Sequence, residues 1–240
     1  MITIKNLNKH FGAVQAVKDL SLSIPAGELF CFLGPNGAGK TTTIKMLTGL
    51  LRPDSGTIKI GGFDIQTQSV EAKRILGYIP DMPFLYEKLT PVEFLKFVAG
   101  LYNISRSDLN ANIEATLHQF GLQEARNALI GELSHGMRQR LLYIGTFIHN
   151  PKVILIDEPL IGLDPHSIRM IKDLLRAKVR EGMTILLTTH ILALAQDIAD
   201  RIGIISRGKL IALGKMSELQ TQSGSNGTLE DIFLKLTSAA

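Results

Sequence analysis

The run Gly34-Pro-Asn-Gly-Ala-Gly-Lys-Thr-Thr42 places three glycines, a lysine and two hydroxyl side chains within nine residues. Glycines at 34, 37 and 39 let backbone N–H groups turn inward around a polyphosphate, and a helix starting there adds about half a positive charge. Lys40 then reaches the terminal phosphates and Thr41 offers its hydroxyl to Mg²⁺. Asn36, Gly37, Ala38, Gly39, Lys40, Thr41 and Thr42 are therefore candidate nucleotide contacts. An ordinary glycine-rich turn leaves unexplained why Lys and Thr stand together at its end.

A second constellation is Val-Ile-Leu-Ile-Asp-Glu-Pro, residues 153–159. Four apolar residues bury a strand whose carboxyl end delivers Asp157, a partner for Mg²⁺ in P-loop enzymes. Adjacent residues on an extended strand point to opposite sides, so Glu158 does a different job and can polarise an attacking water as a general base. Solvated loop charge is the plain alternative for the two acids. The run Thr-Ile-Leu-Leu-Thr-Thr-His ends a third apolar strand in His190, at the same carboxyl edge where ligands of such sheets gather. A lone His is more often structural; beside this loop and these acids it is read as catalytic.

These groups need a sheet to hold them. Short aliphatic or β-branched runs (TIKNL, LFCFL, TIKI, VILID, TILLTT, RIGIIS) alternate with helical segments. That is the pattern of an α/β protein with a mainly parallel core sheet, and the denser strands of the first third predict an antiparallel edge. LFCFL feeds the glycine loop and TIKMLTGLL follows it, the strand, loop and helix context of a P-loop. From Pro83 to Asn150 the chain reads as helical. That block contains a helix start with Thr90 as N-cap, Pro91 at the first position and Glu93 reaching back. Phe94, Phe97, Val98 and Leu101 follow at helical spacing and predict an apolar face packed on the core. KLIALG reads as a hairpin partner of RIGIIS, residues 220–227 as a flexible link, and Thr228 with Asp231 as the cap of a short last helix.

Composition narrows the classes. With 240 residues, 45% of them hydrophobic, the chain can bury a substantial core. Lys and Arg total 26 against 22 acids, with no run of five or six like charges, so no nucleic-acid arm is expected. The single Cys, Cys31 between two phenylalanines, reads as core in a reducing compartment. The N-terminus lacks the pattern of a signal peptide. The longest apolar stretches, such as LLYIGTFI, fall short of the roughly 20 residues that span a bilayer, so membrane contact is expected to run through a partner.

In the order GPNGAGKTT, LSHGMRQR, VILIDEP, GLDP and TTH, these pieces resemble the nucleotide-binding subunit of ATP-binding cassette (ABC) transporters over nearly the whole chain. The resemblance implies a P-loop NTPase core with an inserted helical subdomain at about 83–150 within an ATPase domain of residues 1–220, followed by a linker and short helix over 221–240. It implies ATP and Mg²⁺ as ligands and ATP hydrolysis coupled to transport. Phe11 matches the aromatic that stacks on adenine, a strand-end core aromatic being the alternative. Ser134 and the N–H groups near Gly136 match a helix terminus that covers the γ-phosphate held by a second subunit, and Asp164 lies on a loop crossing the same interface. The partners implied are a transmembrane permease subunit and a second copy or homologous ATPase subunit, with no nucleic acid, at the cytoplasmic face of the membrane. The ending TLEDIFLKLT looks like that of export-type cassettes of the antibiotic and multidrug group.

Two departures stand out. The signature Leu-Ser-Gly-Gly-Gln is here Leu133, Ser134, His135, Gly136, Met137, and Asp81 occupies the place of a Gln that touches Mg²⁺ or the attacking water. The apolar Met82, Phe84, Leu85 and Tyr86 beside Asp81 are read as part of a groove for a short helix of the membrane subunit, with packing inside the chain as the alternative. A soluble cassette acting on nucleic acid or ribosomes, and a low-turnover nucleotide-gated scaffold, are the competing functions.

Overall fold

In the computed structural model, residues 1–82, 84–105, 109–158, 164–224 and 227–238 are described, without the side chains of residues 166 and 238. Pro83 and the first residues of the Gly-Leu-Asp-Pro loop, Gly162 and Leu163, lie outside them.

The chain starts with a long antiparallel pair, β1 (Ile2–Phe11) and β2 (Val14–Ile24). It then runs inward as β3 (Leu29–Leu33), a strand buried at every position, and turns through the glycine loop into α1 (Lys40–Leu47). Strands β4 (Ser55–Ile60) and β5 (Phe63–Asp64) return to the first sheet, whose order is β2-β1-β4-β5. After α2 (Ser69–Arg74) and β6 (Leu76–Ile79) comes a helical stretch. It comprises α3 (Pro91–Leu101), α4 (Leu109–Gln119), a 3₁₀ turn at Ile130–Glu132 and α5 (His135–Phe147). The chain re-enters the core as β7 (Val153–Asp157), α6 (Pro165–Arg180), β8 (Thr184–Thr189), α7 (Leu192–Ile198) and β9 (Arg201–Ser206). It ends with β10 (Lys209–Gly214), α8 (Met216–Ser223) and α9 (Leu229–Ser238).

The second sheet has the order β10-β9-β3-β8-β7-β6 and is parallel except for the β9–β10 hairpin. Strands β3, β7 and β8 are buried on both faces, which is why they read as unbroken apolar runs. Alternation along them makes two cores. Cys31, Leu33, Ile154, Ile156, Ile185 and Leu187 face the side of α5, α6 and α7. Phe30, Phe32, Val153, Leu155 and Leu186 face α1 and the antiparallel sheet. The mainly parallel core, the antiparallel first sheet, the helical insertion and the terminal hairpin are all as the sequence predicts.

Two expectations are corrected. The inward face of α3 is Phe94, Leu95 and Ala99, whereas Phe97 and Leu101 are 44% and 64% exposed. Because α3 is apolar on almost every side, spacing alone does not select the buried stripe. The stretch read as a link from residue 220 is helical through Ser223, where Leu219 is buried and Gly224 closes α8 at φ 62°. The last helix begins as expected: Thr228 N donates to Asp231 Oδ2 at 2.8 Å, and Leu229 and Ile232 are fully buried.

Candidate active site

The carboxyl ends of β3, β7 and β8 lie side by side, because β8 pairs with both neighbours in parallel register, Leu33 opposite Thr189 and Asp157 opposite Thr188. The glycine loop, Asp157, Glu158 and His190 therefore converge from sequence positions far apart. Between them is a cavity of about 320 Å³ lined by Ala16, Asn36, Gly37, Gly39, Lys40, Thr41, Thr42, Asp81, Glu158 and His190.

Two glycines of the loop are irreplaceable for different reasons. Gly37 takes φ 77°, a left-handed conformation that side chains strain to adopt. Gly39, at φ 107°, sits where a Cβ atom would come within 2.4 Å of the Ala16 carbonyl oxygen of β2. The loop is braced from behind, since Gly208 N in the β9–β10 turn donates to Ala38 O at 3.0 Å.

Lys40 is only 6% exposed and curls back over its own loop. Its Nζ donates to Gly34 O at 2.7 Å and to Pro35 O at 3.2 Å, and lies 3.6 Å from Glu158 Oε1. An incoming phosphate has to draw the ammonium away from those oxygens. Glu158 itself turns out of the strand with φ 50°, left-handed backbone costing about 1–3 kcal/mol for a residue with a side chain. The turn brings its Oε1 within 3.0 Å of His190 Nδ1.

Asp157 is fully buried at the end of β7. Burial, with the neighbouring negative charges of Asp81 and Glu158, pushes its carboxyl above the ordinary range, while the hydrogen bond from Thr188 and the nearby hydroxyl of Thr41 act the other way. Burial and the charges of Asp157 and Asp81 also push the Tyr78 hydroxyl up to about 12. Asp81 and Glu158 line the cavity with Lys40, no three carboxylate or imidazole groups among the described residues are grouped to hold a metal ion by themselves, and both Asp157 Oδ2 and Glu158 Oε2 are buried without a hydrogen-bond partner among the described residues. Such a donor set fits a hard divalent cation bound with phosphate oxygens. Asp81, exposed at the mouth, accepts from Met82 N at 2.9 Å.

Several predicted residues stand elsewhere. Ser134 caps α5, accepting from Met137 N at 3.3 Å, and with His135 it is exposed. Asp164 caps α6, accepting from Ser167 N at 3.0 Å and from Ser167 Oγ at 2.6 Å. Neither residue lines the glycine-loop cavity, and nor does Gly136. Phe11 ends β1 half exposed (51%), so it is no core aromatic, and Lys9 Nζ stands 5.6 Å from its ring centroid. Sequence reasoning missed Thr188 and Tyr78, which share the Asp157 face of the sheet. No signal within β8 singles out Thr188, because three of its six residues are threonines and all are buried.

A second cavity, of about 420 Å³, opens between α3, α5 and the β6 edge, lined by Leu50, Leu76, Tyr78, Phe94, Val98, Leu101, Tyr102 and His149 among others. The segment expected to form a groove lies outside that lining. Met82, Phe84 and Tyr86 are exposed, Leu85 packs against the core, and Tyr86 meets Phe97 edge-on at 5.3 Å. Among the described residues no helix is long and apolar enough to cross a membrane.

Comparison with known proteins agrees with this geometry. The profile of the family described as "ABC transporter" matches residues 17–161. The linearmycin resistance ATP-binding protein LnrL of Bacillus subtilis is 35% identical over 96% of this chain and 74% of its own length. The ABC transporter ATP-binding protein NatA of the same organism is 36% identical over 98% and 97%. The probable multidrug ABC transporter ATP-binding protein YbhF of Escherichia coli is 37% identical over 98% of this chain, which spans 41% of its length. A solved structure described as an ATP binding subunit of an ABC transporter superposes with a TM-score of 0.93 at 32% identity, covering 99% of both chains. With the glycine loop, the paired acids and the histidine gathered at one sheet edge, the chain belongs to the ABC transporter family, among its ATP-binding subunits.

Proposed function

We propose that this chain hydrolyses ATP with Mg²⁺ to drive a membrane exporter, acting as one of two head-to-tail ATPase subunits on the cytoplasmic face of a transmembrane partner. The observation that carries the reading is the pair of buried, unpartnered acceptors, Asp157 Oδ2 and Glu158 Oε2, beside Lys40 and Thr41 at the mouth of the glycine loop. The loop amides from Asn36 to Thr42 and the Lys40 ammonium hold the β- and γ-phosphates. Thr41 and Asp157 would hold Mg²⁺, with Asp81 at its edge, and the ion supplies charge neutralisation of the phosphates. Glu158 takes the proton of the water whose oxygen bonds to the γ-phosphorus as the bond to the ADP oxygen breaks. His190 keeps the Glu158 carboxylate oriented through their 3.0 Å contact and faces the γ-phosphate. Phe11 supplies the adenine's stacking surface.

The exposed α5 start at Ser134 and Gly136 lies off its own chain's cavity, so it serves the nucleotide of a second copy, and Asp164 flanks it there. The apolar cavity between α3, α5 and β6 receives a short helix of the membrane partner. Drug-resistance names among the relatives favour export. The experiment is steady-state ATP hydrolysis by the purified chain beside its Glu158→Gln variant. Loss of turnover with retained ATP binding is expected; equal rates would argue instead for a slow nucleotide-gated scaffold.

A further inference from the structure

Resting on the assignment of Asp157 to the cation, we propose that Thr188 is a positioning residue: its hydroxyl fixes the Asp157 carboxylate so that Oδ2 is held ready for the divalent ion that accompanies ATP. Thr188 and Asp157 stand opposite each other in the parallel β7–β8 register, and both are fully buried. Thr188 Oγ1 donates a hydrogen bond to Asp157 Oδ1. Its other oxygen neighbour, Ile156 O, is 3.5 Å away, at the limit of hydrogen bonding.

The pairing is an asymmetric use of one carboxylate. Oδ1 accepts from Thr188, whereas Oδ2 is buried and has no hydrogen-bond partner among the described residues. A carboxylate free to rotate about its last bond would present either oxygen to the cation, or share both. With Oδ1 accepting from Thr188, rotation of the carboxylate is restrained and Oδ2 keeps one direction.

Leu186, two residues earlier on the same face of β8, packs among Leu155, Ile44 and other apolar side chains. A valine at position 188 has the shape to continue that face, and would leave Oδ1 of a buried carboxylate without its donor. The histidine strand therefore contributes two groups to the site, His190 toward Glu158 and Thr188 toward Asp157.

The test compares Thr188→Val, which keeps the shape, with Thr188→Ser, which keeps the hydroxyl, in the full chain. Mn²⁺ binding in the presence of ATP is followed by electron paramagnetic resonance, and ATP affinity in EDTA by a fluorescent analogue. Removing the partner of a metal-bound side chain typically weakens metal binding about 10- to 100-fold. Thr188→Val is expected to lose Mn²⁺ affinity on that scale while metal-free nucleotide affinity stays within about twofold, and Thr188→Ser is expected to restore most of the loss. Wild-type Mn²⁺ affinity in Thr188→Val, or a Ser variant as weak as the Val variant, overturns the proposal. If Thr188→Val does not fold, Thr188→Ala takes its place in the same comparison. Failure of the wild-type chain to bind Mn²⁺ with ATP at all would instead overturn the functional reading.

Discussion

Glu158 and Lys40 together show what the site does before nucleotide arrives. The ammonium is held 3.6 Å from the glutamate and on two carbonyls of its own loop, so the proposed phosphate-binding group and the proposed base restrain one another. On the proposed function, ATP would break that restraint by offering phosphate oxygens to Lys40. Removing the ammonium in Lys40→Ala deletes hydrogen bonds to charged groups worth about 1.5–3 kcal/mol each, and a fluorescent ATP titration should show Kd raised at least about tenfold. Glu158→Gln keeps shape and loses basicity, so kcat is expected to fall about 100- to 10,000-fold. The same reasoning covers the metal. A unit-charge repulsion at about 4 Å amounts to roughly 4 kcal/mol near a protein surface, and ATP enters a site with Asp81, Asp157 and Glu158 against Lys40. EDTA should therefore weaken ATP binding by more than about tenfold, as measured by isothermal titration.

Helix α3 carries the clearest local code in the chain. Thr90 Oγ1 accepts from Glu93 N at 3.2 Å while Glu93 Oε2 accepts from Thr90 N at 2.9 Å, with Pro91 opening the helix. Thr90→Ala should cost about 1 kcal/mol, seen as a fall in Tm of about 2–4 °C. At its other end Tyr102 stacks on His149 at 3.7 Å between ring centroids, and His149 Nε2 lies 3.2 Å from Leu76 O. Burial holds the His149 imidazole below its ordinary value, opposed by the hydrogen bond to Leu76. The unfolded chain takes up this proton at higher pH than the folded chain does. Stability from this group is thus full above about pH 6.5 and declines as pH falls through that value toward the folded pKa. Tm should drop more steeply on acidification in the wild type than in His149→Gln. A steeper drop in the variant would contradict the sign.

At the scale of the molecule, two surfaces of the single chain bear on the proposed partners. The start of α5 offers backbone donors and the Ser134 hydroxyl outside the glycine-loop cavity. The cavity beside α3 leaves Leu50 and Leu101 66% and 64% exposed. With ATP, the Glu158→Gln chain is expected to elute as a dimer in size exclusion, and Ser134→Arg in that background to return it to monomer. Leu101→Glu should abolish co-purification with a membrane partner, because it puts a charge in an apolar groove.

The sequence by itself determined the local form of each segment. A glycine loop between an apolar strand and a helix, two acids after a buried strand and a Thr-Pro-x-Glu helix start are local patterns, enforced by backbone geometry within a few residues. The alternation of strand and helix likewise announced the parallel sheet, its antiparallel companion and the final hairpin. Tertiary structure alone decided which side of α3 is buried, that residues 216–223 are helix, and where the apolar groove lies. Those outcomes depend on packing partners distant in sequence, and an evenly apolar helix such as α3 carries no internal mark of its buried side. Thr188 teaches the same lesson at the site: nothing within its strand reveals that Asp157 stands opposite, because register between β7 and β8 is set by the sheet they share.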